Sequence, residues 1–208
     1  REISSLGIKF FIIQMAVLVI FATDNMIITQ VLGPAEVTPY NVVFKLFSII
    51  AIGHGIIVGP LWSAYTDAYA KTDIRWIRDT LRKTIMILIP IIISVLFLIL
   101  FARDIINIWV GTNINFPDSL VIFMGIYTVI RIWNSSYSSL LNGIGRIKFQ
   151  MYSAIIGGLI NIPISVYFAK YLQMGMSGVI LGTIVSLSFF AIIGPIESYY
   201  ILNKRQTK

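Results

Sequence analysis

Three stretches of this chain run on without a single Asp, Glu, Lys or Arg: 19 residues over Thr84–Ala102, 21 over Phe149–Ala169 and 26 over Tyr171–Ile196. A helix crosses the hydrocarbon core of a bilayer with about 20 apolar residues. Lipid offers no partner to backbone N–H and C=O groups, so only helices or closed barrels can span it. Barrel strands would show alternating polarity over about 10 residues, and no such alternation is present. The stretches therefore predict membrane-spanning helices. Composition agrees: 57% of the residues are apolar and 12% are charged, against about 45–50% and about 25% in soluble domains. A soluble globular enzyme and a disordered chain are both excluded.

Three further segments have the length of a span but carry ionisable groups inside: Ile8–Gln30 with Asp24, Asn41–Tyr65 with Lys45 and His54, and Ser119–Gly143 with Arg131. The expected class is all-α, a polytopic membrane protein. Its six transmembrane helices fall at about 8–30, 41–65, 84–102, 119–143, 149–169 and 176–200, in one unit over 1–208. The chain begins with Arg1 and has no recognisable signal peptide, so it reads as a piece of a longer one. With no Cys and one His, disulfides are excluded, and no cofactor or metal site is expected.

The net charge is +7. Because the basic residues cluster between apolar runs, they are topology signals rather than a nucleic-acid surface. Twelve fall on one side: Arg1, Lys9, Lys71, Arg75, Arg78, Arg82, Lys83, Arg146, Lys148, Lys204, Arg205 and Lys208. Only Arg103 and Lys170 fall on the other, at turns near Leu32–Pro39, Arg103–Asp118 and Lys170–Gly175. This bias predicts cytoplasmic termini in an inner membrane. In the loop Asp67–Lys83, Ile74, Ile77 and Leu81 recur at helical spacing among Arg75, Arg78 and Arg82. That pattern suits either an in-plane helix on anionic lipid or a solvated basic loop.

Gly59-Pro60, Pro90, Pro163 and Gly194-Pro195 lie in or near spans, as bending points or as tolerated membrane prolines. Gly178, Gly182 and Ser186 form a small-residue stripe that allows close helix approach. The "NGIGR" run, Asn142–Arg146, reads as a tight turn. Glu197 lies near the inner boundary, and His54 is expected to be packed and hydrogen-bonded.

Charges at membrane depth are costly and mark function by default. Arg131 stands mid-span on a polar helical stripe of Tyr127, Arg131, Asn134, Ser135, Ser138 and Asn142. A stripe like that must face another helix or water, and its length favours a water-filled cavity over a single hydrogen-bonded contact. Asp24 and Lys45 each lie about 10 Å below the outer boundary at 1.5 Å per residue. Equal depth on adjacent antiparallel helices predicts a pair, either structural or switchable with Asp24 taking a proton or cation. No nucleophile motif, phosphate loop or carboxylate pair is present, so no enzyme is expected.

"TDNMIITQVLGPAEVTPYNVVFKLFSI" (Thr23–Ile49), "GPLWSAYTDAYAKTDIRWIRDTLRK" (Gly59–Lys83) and "LLNGIGRIKFQMYSAIIGGLINIPISVYFAKYLQMGMSGVILGT" (Leu140–Thr183) resemble the second half of polysaccharide flippases. These are the O-antigen or lipid-linked oligosaccharide flippases of the multidrug/oligosaccharidyl-lipid/polysaccharide exporter superfamily. The resemblance covers nearly the whole chain. It implies two six-helix lobes around a cavity that opens alternately to each side, and this chain supplies the C-terminal lobe. A partner is then implied, either a missing N-terminal lobe or a second copy. The implied substrate is an undecaprenyl-pyrophosphate-linked oligosaccharide moved out of the cytoplasmic leaflet. By position, Arg131 and Lys45 are the candidates for its anionic groups, with Tyr127 and Asn134 beside them. The competing readings are a drug or cation antiporter of the same superfamily and a non-transporting membrane scaffold. An antiporter for cations should line its lobe with carboxylates, whereas two of the three deep charges here are basic.

Overall fold

The computed structural model describes residues 2–111 and 114–204. Arg1, Arg205 and Lys208, counted above as cytoplasmic charges, lie outside the described residues. The described chain is all helix: α1 Glu2–Val31, α2 Val37–Val58, α3 Leu61–Ala70, α4 Ile74–Met86, α5 Leu88–Val110, α6 Asp118–Gly143, α7 Lys148–Val166 and α8 Gly175–Lys204. A 3-10 turn at Pro34–Glu36 precedes α2, and a π-helical turn at Tyr167–Tyr171 follows α7.

Breaks fall where the backbone chemistry requires them. Pro60 has no N–H to give, so α2 and α3 meet at the Gly59-Pro60 step. The tight turn at Asn142–Arg146 is a Schellman cap. The Arg146 N–H bonds Leu141 O at 2.9 Å, the Gly145 N–H bonds Asn142 O at 3.1 Å, and Gly145 takes φ +71°, a conformation glycine adopts freely.

Among the described residues, five helical runs are long and apolar enough to cross a membrane: Gly7–Val31, Pro34–Ala70, Ile74–Val110, Lys148–Tyr171 and Gly175–Lys204. The 26 residues of α6 have the length of a span, but its polar stripe lowers its hydropathy. Fellow helices shield it: α2, α3, α5 and α8 all pack against it, and Leu120, Met124, Ile132, Leu140 and Leu141 are fully buried. Outward faces carry the largest apolar exposures, with Ile108 86%, Leu100 77% and Ile56 and Leu159 73% exposed. So much exposed aliphatic surface is suited to lipid rather than water.

Two expected boundaries are corrected. The span ending at Ala102 runs on to Val110 and turns at Gly111 with φ +70°. Arg103 is therefore a helical residue, bridging α5 to the start of α6. It pairs with Asp118 at 2.7 Å, donates to Phe116 O at 3.2 Å and sits 5.1 Å over the Phe116 ring. The basic segment after Asp67 is not a free loop: from Ile74 it forms the helix α4. Asp73 caps α4 by accepting the Trp76 N–H at 3.0 Å. Ile77 and Leu81 are buried in an inner core with Tyr65, Leu140 and Leu202. Arg78 donates to Asn203 Oδ1 at 3.1 Å. Through Ile87, α4 then leads straight into α5. The 37-residue run Ile74–Val110 is about 55 Å long at 1.5 Å per residue, nearly twice the hydrocarbon thickness.

Helices in lipid gain little hydrophobic drive from one another, so close packing of small residues holds them. The stripe on α8 does this against α7 and the π-helical turn. A Cβ at Gly182 would stand 2.7 Å from Ser165 Cα, one at Gly178 2.6 Å from Ala169 N, and one at Gly157 2.7 Å from Ser186 O.

Candidate functional site

On α6 the stripe divides by burial. Tyr127 and Asn134 are buried, while Arg131, Ser135, Ser138 and Asn142 are half-buried. The half-buried four recur at i, i+4, i+7 and i+11, one line along the helix. That line borders two cavities sharing Ser135 and Ser138. One, of ≈ 250 Å³, lies among α1, α6, α7 and α8 and includes Arg131, Asn134, Gln150, Ser153 and Ser186. The other, of ≈ 200 Å³, lies towards α2 and α3 and includes Gly55, Gly59, Trp62 and Asn142. No Asp or Glu lines either cavity. The groove exists because α1 packs along α7 and α8. It meets α2 by Asn41 Nδ2 to Asn25 Oδ1 at 3.0 Å and α3 by the Phe10 ring stacked 5.4 Å from Trp62.

The expected Asp24–Lys45 pair does not form. Asp24 is 5% exposed. Its Oδ2 accepts the Tyr40 hydroxyl at 2.6 Å, and its Oδ1 accepts the Thr183 hydroxyl at 3.0 Å. Asn161 Nδ2 donates in turn to Thr183 Oγ1 at 3.1 Å, and Thr23 Oγ1 lies 3.2 Å from Asn161 Oδ1. Four helices thus meet in one buried polar network, satisfied as lipid demands. Lys45 is exposed. The expected facing was wrong: α1 turns Asp24 toward α8 and toward Tyr40 on α2. Lys45 stands on the side of α2 that carries Asn41, Ser48 and Ile52, leading toward Gly55 and Gly59 at the groove.

This predicts a contrast in folding. Asp24→Ala deprives two buried hydroxyls of their acceptor, at about 1–3 kcal/mol each. About tenfold or more of the folded full-length protein should be lost from membranes, by size-exclusion of a fluorescent fusion. Lys45→Ala should stay within about twofold of the parent. Equal losses would restore the ion pair.

Tyr127 contacts Arg131 electrostatically, one turn away. The Tyr127 ring lies 6.0 Å from that of Phe44, itself 6.5 Å from Tyr40. An aromatic chain thus connects Asp24 to Arg131. His54 is buried, with Nε2 3.3 Å from Ser136 Oγ, as expected of a packed histidine. Tyr40, Asn161, Thr183, Gln150 and Ser153 were not anticipated as site residues. The available signal was weak: each is a lone polar group in an apolar run. No group of three or more potential metal ligands occurs among the described residues.

A family model described as MatE matches residues 10–167. A Salmonella typhimurium protein named "Putative O-antigen transporter" is 29% identical over 199 residues, covering 92% of this chain and 45% of that protein. A Yersinia pseudotuberculosis protein named "Putative O-antigen export protein" is 26% identical over 186 residues, covering 86% of this chain and 41% of that protein. The chain therefore spans less than half the length of these relatives. Among solved structures, a MATE mutant superposes with a TM-score of 0.78 at 14% identity, over 97% of this chain and 45% of that one. An outward-facing multidrug resistance MATE family transporter of the MOP superfamily gives 0.74, also at 14% identity and the same coverage.

Proposed function

The chain belongs to the MatE family of membrane transporters, and from that premise we propose that it forms one lobe of a flippase for an anionic, lipid-linked oligosaccharide. The observation that carries this reading is Arg131, a guanidinium at membrane depth on the half-buried line of α6, beside a cavity free of carboxylates. Arg binds phosphate groups through paired hydrogen bonds and keeps its charge at any physiological pH. An undecaprenyl-pyrophosphate carrier offers that chemistry, and the O-antigen names of the relatives support it. Lys45 adds a second cation on the α2 side of the groove. Tyr127 orients Arg131, and Asn134 contributes polar contacts. Asp24, tied to three other helices, is the group suited to take a coupling proton or cation. Six helices including α6 cross the bilayer, and the groove faces a second lobe supplied by further residues of the protein or by another copy.

The full-length protein should restore surface polysaccharide to a strain lacking its O-antigen flippase and leave ethidium accumulation unchanged. Lowered ethidium accumulation without polysaccharide would favour the drug antiporter instead. The positive-charge bias supports a cytoplasmic position for both ends of this segment and for the α3–α4 turn. Thr72 in that turn is exposed and holds φ 58°, where a β-branched side chain is disfavoured, so Thr72→Cys adds no strain. That cysteine should react with an impermeant maleimide only after the cells are opened. Labelling of intact cells would reverse the orientation.

A further inference from the structure

A further cavity, of ≈ 860 Å³, lies at the end of the lobe where α3 turns into α4, α6 turns into α7, and α8 ends. It shares no lining residue with the two cavities along α6. Its wall carries two cations, Arg146 and Lys204, against one carboxyl, Glu197. The Schellman cap fixes Arg146 through its backbone N–H. Its side chain is exposed, forms no ion pair among the described residues and reaches the Glu197 carboxyl electrostatically. Lys204 Nζ stands 5.6 Å over the Tyr200 ring. The exposed α4 cations Arg75, Arg82 and Lys83 do not line the cavity.

Cations gathered between helix ends at a membrane surface attract the phosphoryl groups of lipids. The surroundings favour a lipid over a soluble anion. Phe149 and Tyr200 border the cavity, and both are exposed. From Phe149 the exposed Tyr152, Ile156 and Leu159 continue along one face of α7, at i+3, i+7 and i+10. From Tyr200 the exposed Ile196 and Ile192 continue back along α8 in steps of four. Two apolar lines thus lead from the cavity toward the middle of both spans, a path that suits acyl chains and that an inorganic anion would not use. Charge selects the headgroup. Two cations facing one carboxyl leave one positive charge, which a phosphodiester monoanion neutralises. Pyrophosphate would bring further negative charge against Glu197, and a choline headgroup would add a third cation beside Arg146 and Lys204. We propose that this cavity is a binding site for one anionic glycerophospholipid. Arg146 and Lys204 hold its phosphodiester, and its acyl chains lie along α7 and α8. The site ties the α3–α4 turn, the α6–α7 turn and the end of α8 to the surrounding leaflet, whichever substrate the α6 groove carries.

The test is native mass spectrometry of the full-length protein in a neutral detergent. The probes are dioctanoyl phosphatidylglycerol, dioctanoyl phosphatidylcholine, glycerophosphate and inorganic pyrophosphate. One copy of phosphatidylglycerol should bind about tenfold or more tighter than phosphatidylcholine. Arg146→Gln should lower that preference about fivefold, and Arg146→Gln combined with Lys204→Gln should abolish it. Arg146→Lys keeps the charge and should keep the preference, which separates charge recognition from a loss of fold. Arg82→Gln removes an exposed cation outside the cavity and should bind as the parent does. A loss at Arg82→Gln equal to that at Arg146→Gln would reveal diffuse attraction to a basic surface and overturn the site. Equal binding of the two lipids, or parental binding by the double variant, would also overturn it. So would displacement of the lipid by equimolar glycerophosphate or pyrophosphate, which would make the cavity a soluble-anion or carrier-pyrophosphate site. The readout is lipid binding rather than transport, so its failure leaves the proposed flippase standing.

Discussion

Gly182→Leu should leave little folded transporter in the membrane. Even a single added Cβ would stand 2.7 Å from Ser165 Cα and 2.8 Å from Ser165 N, and both atoms belong to the backbone of α7. No rotamer change relieves such contacts, so α7 and α8 must separate along their closest seam. Overpacking inside a well-packed protein costs about 1–3 kcal/mol, and a seam between two backbones lies at the upper end. The neighbouring contacts at Gly178 and Gly157 would also be lost, since they lie on the same seam. About tenfold or more of the monodisperse protein should disappear in size-exclusion of a full-length fluorescent fusion. Gly53→Leu is the matched control: nothing lies within 4 Å of a Cβ built there, so the added side chain starts from open space. Equal behaviour of the two variants would mean that the small-residue seam does not hold this lobe together.

Arg131→Ala should abolish transport while the protein still reaches the membrane. The side chain is half-buried and contacts Tyr127, and its removal leaves Lys45 as the cation on the α2 side of the groove. A charge-assisted, two-pronged contact to pyrophosphate is about twice as strong as a neutral one, and low local dielectric strengthens it further. Arg131→Lys keeps the charge and loses the paired geometry, so partial transport is expected. Complementation of a flippase-deficient strain by the full-length variants, with membrane protein level measured in parallel, reads both effects. Normal complementation by Arg131→Ala would remove Arg131 from the substrate path. Degradation of the variant would assign it a structural role instead.

The all-helical membrane class was legible because the apolar runs carry their own evidence. So was the α6 stripe, since Arg131, Asn134, Ser135, Ser138 and Asn142 share one helix and helical spacing alone places them together. The Schellman turn at Gly145 and the close seam at Gly178 and Gly182 were legible for the same local reason. What failed was azimuth and partnership across the chain. Asp24 and Lys45 have similar depth, but depth does not say which neighbour a helix faces. The partner Thr183 is 159 residues away, and Asn161 enters the network only through it. The charge-free run ended at Ala102 and placed Arg103 in the outer turn, whereas α5 extends to Val110. Instead Arg103 finds Asp118 across the turn and the helix continues. Gln150 was missed because it follows Lys148 at the start of α7. There it reads as a terminal polar residue rather than as part of a cavity wall assembled from four helices.

An α6 groove that passes an anionic lipid-linked glycan through a two-lobed transporter has a directly observable consequence. The most direct measurement is flipping in proteoliposomes. Full-length protein is reconstituted with a fluorescent polyprenyl-pyrophosphate-linked sugar, and the fraction protected from an added membrane-impermeant quencher is followed over time. The wild type should expose the inner pool to the quencher far faster than empty liposomes do, and Arg131→Ala should fall to the empty-liposome rate at equal protein content. Equal rates for wild type and Arg131→Ala, or a wild type no faster than empty liposomes while it moves tetraphenylphosphonium, would contradict the account.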